Sequence, residues 1–218
     1  MVCTLAALVV SIACYRRHPS MRIFPYYIAS SLLSDIIVCV AFLYYPGDFL
    51  LLAITSISRY AWVVFEFVAL NLFILRSVGS PSWKRIIRIN ALAFFVLLIL
   101  AILTIPYLHT HQVYYFTLQS AFLVPPCLIY FYRLFQTSNL RPLKDQPAFW
   151  VITGILFLKA CSIPLLLTIY LMKGYEETVF TINYALYSLL FALLIRAYLC
   201  PPSNAQSVTP EDSIPVSA

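Results

Sequence analysis

Charge is what this chain of 218 residues has least of: only 10% of it is Asp, Glu, Lys or Arg. A soluble globular domain carries about 25%, so that class is excluded, and so is a disordered segment kept open by its charge. Glycine is scarce too, with four residues, which leaves no phosphate-cradling Gly-rich loop and no GxSxG nucleophile elbow. The six cysteines (Cys3, Cys14, Cys39, Cys127, Cys161, Cys200) show no CxxC spacing. They mostly fall in apolar runs, where they act as small apolar residues, not as a disulfide framework. Three histidines are present; His109 and His111 are separated by one residue, with no Cys or carboxylate beside them to complete a metal site. What remains is 62% hydrophobic, with 16 Phe and 16 Tyr. That is the composition of a polytopic membrane protein.

A membrane-crossing helix takes about 20 mainly apolar residues. Six such runs stand out: 23–45, 50–75, 89–108, 113–135, 148–171 and 179–199. Residues 1–14 are also apolar and uncharged, but would reach only about 21 Å against a hydrocarbon core of about 30 Å. We read them as a short first helix that begins abruptly, so the start of the chain is expected to fall a few residues late. A secretory signal would need a basic region ahead of its apolar core, which is missing. The expectation is an all-α, polytopic transmembrane bundle of seven helices in one domain over residues 1–199, followed by a disordered polar tail over 200–218.

Basic residues set the orientation. Arg16, Arg17 and Arg22 lie in the first connection, Arg76, Lys84, Arg85 and Arg88 in the third, and Arg133, Arg141 and Lys144 in the fifth, with Arg196 ending the last helix. The alternate connections hold a single basic residue, Lys173, beside Asp48, Glu176 and Glu177. The positive-inside rule then places the N-terminus outside and the C-terminus in the cytoplasm. The formal net charge of +6 is thereby a matter of topology, not a footprint for nucleic acid.

Four charged residues stand out deep within the apolar runs, away from their cytoplasmic ends: Asp35, Arg59, Glu66 and Lys159. Charge at the centre of a bilayer costs at least about 2.5–3.5 kcal/mol, which makes each a candidate functional residue. From helical rise, Asp35 lies about 18 Å, Glu66 about 14 Å and Lys159 about 17 Å from the cytoplasmic ends of their spans, and Arg59 about 24 Å. Three of them thus share a level near the midplane. Arg59, two turns before Glu66, returns to the same helix face. The expected arrangement is a polar cavity or relay, with Lys159 facing Asp35 or Glu66 and Arg59 closing it from outside. Ser31, Ser34, Thr55 and Ser162 would line the same surface. The competing reading is that these groups pair only to hold the bundle together.

Prolines punctuate the later helices. Pro125 and Pro126 fall near the middle of the fifth run, Pro164 in the sixth and Pro106 at the end of the fourth, where each frees a backbone carbonyl and can kink the helix. Tyr26, Tyr44, Tyr45, Tyr107, Trp150 and Tyr198 sit near span ends and read as interface anchors.

The segments Tyr60-Ala-Trp-Val-Val-Phe-Glu-Phe67, Phe149-Trp-Val-Ile-Thr-Gly-Ile-Leu-Phe157 and Asn183-Tyr-Ala-Leu-Tyr-Ser-Leu-Leu190, with a terminal Leu199-Cys200, together resemble small multi-pass inner-membrane proteins of the Bacteroidetes. In that pattern a Glu follows the apolar start of the third helix, an acid-x-Pro-x-Phe-Trp opens the sixth and an Asn begins the last. Glu66, residues 145–150 and Asn183 occupy those places here. The resemblance implies seven helices and a bacterial inner membrane, and carries no activity with it. Microbial rhodopsins are a poorer likeness. Their Schiff-base lysine lies in the seventh helix with an acid one turn before, whereas Lys159 is in the sixth with Ile155 at that place.

The leading expectation is a non-enzymatic sensory or partner-coupling module that holds a small or lipid-like ligand at Asp35, Arg59, Glu66 and Lys159. A small-molecule or proton-coupled transporter is the alternative, and a membrane-embedded lipid hydrolase the third. No catalytic residues, cofactor or metal are assigned. The expected partners are the lipid bilayer, a small-molecule or lipid ligand and a cytoplasmic or membrane protein, with no nucleic acid.

Overall fold

The structure, a computed structural model, describes residues 2–16, 18–44, 49–104, 112–136, 142–171 and 176–201. These form seven α-helices: α1 (Val2–Ala13), α2 (Phe24–Tyr44), α3 (Phe49–Ser77), α4 (Pro81–Thr104), α5 (Gln112–Gln136), α6 (Pro147–Leu171) and α7 (Glu176–Tyr198). Short 3-10 turns at Pro19–Met21 and Leu143–Asp145 lead into α2 and α6. Five of the helices, α3 to α7, are long and apolar enough to cross a membrane, while Val2–Ala13 and Phe24–Val40 form shorter apolar stretches. The histidine pair, Pro106, Tyr107, Arg17, Arg141, Lys173 and the tail beyond Pro201 lie outside the described residues.

Helix boundaries follow local chemistry more closely than hydropathy. The fourth helix starts at Pro81, eight residues before the apolar run at Ile89, and carries Lys84, Arg85 and Arg88 in its first turns. Proline suits a first helical position because its missing N–H would have no partner there; Pro147 opens α6 in the same way. Arg76, Arg133 and Arg196 lie in the last turns of α3, α5 and α7, where the negative end of the helix dipole favours a cation.

The outer surface is as apolar as the core, and several polar side chains are turned inward. Large apolar side chains such as Leu5, Ile57, Leu92, Leu103 and Phe157 face outward, while Glu66, Gln119, Ser120, Lys159 and Ser162 are buried. In α1 the small residues Thr4, Ala7 and Ser11 point inward, and Val2, Leu5, Val9 and Ile12 point out. A helix in water would reverse this order; a helix in lipid must satisfy its polar groups within the protein.

Six helices close a ring in the order α1, α2, α3, α5, α6, α7 and back to α1, with α3 also reaching α6 across it. The remaining helix, α4, packs on the outside against α5 and α3. It has the highest mean hydropathy of the five long helices, and only 17% of its apolar stretch is buried. Stacked Phe67 and Phe94 rings, 3.8 Å apart, join it to α3. The α6 and α7 helices pack tightly at Gly154, where an added Cβ would lie 2.8 Å from Leu190 Cδ1 and 3.2 Å from Leu193 Cδ1.

The internal prolines do not break their helices. The α5 helix runs unbroken through Pro125 and Pro126, and α6 through Pro164. Lacking an N–H, Pro126 leaves the Phe122 carbonyl, four residues earlier, without its helical partner. Asn90 of α4 supplies one: its Nδ2 donates to Phe122 O at 2.8 Å. The proline thus creates an acceptor on the outer face of α5, and α4 docks on it. Asn90→Ala should cost about 1–2 kcal/mol of stability by stranding that carbonyl. Pro126→Ala restores an N–H to the same carbonyl, so Asn90→Ala should cost measurably less in that background. Thermal unfolding of the four proteins in one detergent gives the coupling.

The end of the bundle that carries Arg22, Lys144 and Arg196 is tied by side chain to backbone contacts. The Tyr198 hydroxyl donates to Met21 O at 3.0 Å, and Trp150 Nε1 donates to Lys144 O at 2.9 Å while its ring lies beneath the Arg196 guanidinium. Tyr26 is exposed, as an interface anchor would be, but Tyr198 is buried. Its hydroxyl is held by Met21, so the ring serves packing at that site. Cys200, expected to open the tail, is buried as well.

Candidate functional site

One carboxylate gathers five helices. Arg59, Trp62 and Glu66 lie along one face of α3, separated by one and two turns of helix, and that face turns into the ring. Glu66 is fully buried and pairs with Lys159 of α6, Nζ to Oε2, at 2.9 Å. Its other oxygen accepts the Tyr27 hydroxyl of α2 at 3.0 Å and lies 3.3 Å from the Tyr187 hydroxyl of α7. Gln119 of α5 completes the set. Its Nε2 donates to Glu66 Oε2 at 2.7 Å and to Val63 O at 3.1 Å, while its Oε1 faces Lys159 Nζ at 3.4 Å. The amide is thereby oriented at both ends. Around Glu66 stand one cation and three neutral donors, enough to occupy the roughly four lone-pair positions of a carboxylate.

Lys159, 2% exposed, makes two of its three donations within this hub. Its ammonium also lies 5.6 Å from the centre of the Tyr187 ring, within cation–π range. Trp62 stacks on Tyr27 at 5.2 Å, which fixes the phenol that reaches Glu66. The Glu66 carboxylate is thus fully hydrogen-bonded, while Lys159 keeps one N–H beyond its two hub contacts.

Beside it opens a cavity of about 500 Å³, lined by residues of all six ring helices and none of α4. Such a volume falls within the range of small-molecule pockets, about 300–1,000 Å³. Lys159 and Tyr187 belong to both the hub and the cavity wall, whereas Glu66, Tyr27 and Gln119 do not reach the cavity. Ser31, Ser34 and Asp35 enter the wall from α2, Arg59 and Trp62 from α3, and Asn183 from α7. Ser162 also lines it, donating to Leu158 O at 2.7 Å and lying 3.1 Å from Asn183 Oδ1.

Sequence reasoning grouped Asp35, Arg59, Glu66 and Lys159 as one buried cluster. The structure divides them. Glu66 and Lys159 are buried and paired, while Arg59 is half-buried and Asp35 open, both on the cavity wall. The acid that faces Lys159 is Glu66. No ion pair or hydrogen bond joins Asp35 to Arg59 among the described residues. Ser31, Ser34 and Ser162 line the expected surface; Thr55 is not among the cavity-lining residues. Tyr27, Gln119 and Tyr187 went unnoticed in the sequence. Gln119 carried a usable signal, as a lone amide inside an apolar run. The two tyrosines carried none in a chain that has 16 of them.

Among the described residues, no three His, Cys, Asp or Glu side chains group closely enough to hold a metal ion. Fold and site together define a helical, membrane-compatible bundle with a cavity lined by both polar and apolar side chains. Comparison with protein-family models, with curated proteins and with solved structures finds no match to this chain.

Proposed function

We propose that this is a seven-span protein of a bacterial inner membrane, N-terminus outside, that senses a small ligand held in the ring cavity. The observation that supports this most is the double membership of Lys159 and Tyr187. A ligand touching either one touches a hub whose five members lie on five helices. Occupancy can then bias helix positions at the far end of the bundle, where a partner protein would read them. With the basic connections placed inside, the cavity lies on the outer side of the hub, because Arg59 stands two turns outward of Glu66. The bilayer supplies the surroundings of the outward-facing apolar residues, and no catalytic step is assigned.

The test is a thermal-shift screen of small polar and lipid-like compounds on the protein in nanodiscs, run beside Ser34→Trp. That substitution fills the cavity from α2 and leaves the hub untouched. At least one compound should raise the unfolding temperature of the wild-type protein and not of the variant. If every stabilising compound acts equally on both, the cavity is not a ligand site. Carrier function makes the opposite kinetic demand: the same compound would cross proteoliposomes containing the protein, whereas a sensor leaves it outside.

A further inference from the structure

We infer that the cavity takes a zwitterion, a ligand with an ammonium and an anionic group a few bonds apart; this rests on the ligand-sensing reading above. Among the described residues, three charged side chains line the wall: Asp35, Arg59 and Lys159. Lys159 is already matched by Glu66 at 2.9 Å. The charges left facing the space are one acid and one base, and among the described residues they do not pair with each other.

In a membrane-embedded cavity this arrangement selects by charge. A ligand carrying one charge would match Asp35 or Arg59 and leave the other facing the filled cavity with no counter-charge in contact, at a cost in free energy. A zwitterion compensates both, and the filled site stays neutral. Arg59 presents a planar fork suited to a carboxylate or phosphate, and Asp35 can accept an ammonium. Ser31 and Ser34, one turn and one residue before Asp35, place hydroxyls beside that end, while Trp62 and Phe116 give the ligand an apolar wall. Lys159 and Tyr187, which belong to the hub, line the same cavity as Asp35 and Arg59, so a ligand held there shares its walls with the hub. The same pair of charges occurs in a free amino acid and in a phosphatidylethanolamine headgroup.

Binding is measured on the protein in phosphatidylglycerol nanodiscs with L-leucine, isoamylamine and 4-methylpentanoate, which share a branched alkyl chain and carry both charges, the ammonium alone and the carboxylate alone. A parallel series dopes the discs with phosphatidylethanolamine. One of the two zwitterions should bind, seen as an upward shift in unfolding temperature. If the free amino acid is the ligand, each single-charge analogue should bind at least about tenfold more weakly. If the headgroup is, the shift should follow phosphatidylethanolamine content and not L-leucine. Asp35→Asn and Arg59→Gln should each reduce the response at least about tenfold while leaving the ligand-free unfolding temperature near wild type, since neither residue belongs to the hub. The inference is overturned if a singly charged analogue binds as well as L-leucine, if neither zwitterion binds, or if both variants respond like wild type. A neutral compound that stabilises wild type, Asp35→Asn and Arg59→Gln alike, but not Ser34→Trp, would sink the zwitterion and leave the sensing reading standing.

Discussion

Glu66→Gln is expected to be the most damaging single substitution in the bundle, lowering stability by about 3–5 kcal/mol, the usual cost of removing one partner from a buried ion pair. The size follows from donor counting. In the native hub Tyr27, Tyr187, Gln119 and Lys159 all direct protons at one carboxylate. A glutamine side chain offers one acceptor oxygen and brings two protons of its own, so it both starves the donors and confronts them. Lys159→Met should cost less. Glu66 then keeps three neutral donors, and the methionine fills the volume of the lysine stem. The double variant should be more stable than Glu66→Gln alone. Without the ammonium, the amide of residue 66 can donate to Gln119 Oε1 and no buried cation is left unmatched. Unfolding temperatures of the four proteins in a single detergent test the order. If Lys159→Met proves as harmful as Glu66→Gln and the double variant is the sum of both, the hub is not organised around the carboxylate.

The second large effect is expected at Gly154. The contact there is set by shape: the Cβ that glycine lacks would fall 2.8 Å from Leu190 Cδ1, well inside van der Waals contact. The obstructing atoms are the ends of flexible leucine side chains, so Gly154→Ala should be accommodated at about 1–3 kcal/mol, the usual cost of overpacking. Gly154→Leu cannot be accommodated by rotation, and must push α7 away from α6. Since Tyr187 reaches Glu66 from α7 and Lys159 reaches it from α6, separating these helices also loosens the hub. Leu190→Ala vacates the space that the new methyl group needs. Combined with Gly154→Ala, it should recover part of the stability that either change loses alone. Unfolding temperature measures the coupling, and strict additivity would show that the two residues do not meet.

How much of this was legible beforehand differs from feature to feature. The apolar runs around residues 50–75, 113–135 and 148–171 became helices with ends within two residues of expectation, because lipid leaves backbone groups no other partner. The run at Ile89 mislocated the start of its helix, since hydropathy reports where the chain is apolar, whereas the helix begins at the proline that can open it. Glu66 and Lys159 were legible as candidates because buried charge is costly enough to be rare. Their pairing was not, because Asp35 and Glu66 lie at nearly the same depth, and depth says nothing of which face turns inward.

By itself, then, the sequence determined the class of environment, the number of helices and the short list of charges, since each follows from what lipid permits a backbone or an ion to do. Tertiary structure decided which acid meets the lysine, that α4 stands outside the ring, and that Tyr27, Gln119 and Tyr187 complete the hub. These depend on helix rotation and neighbour order. Both are set by packing between segments far apart in the chain, such as Gly154 against Leu190 and Asn90 against the carbonyl that Pro126 releases.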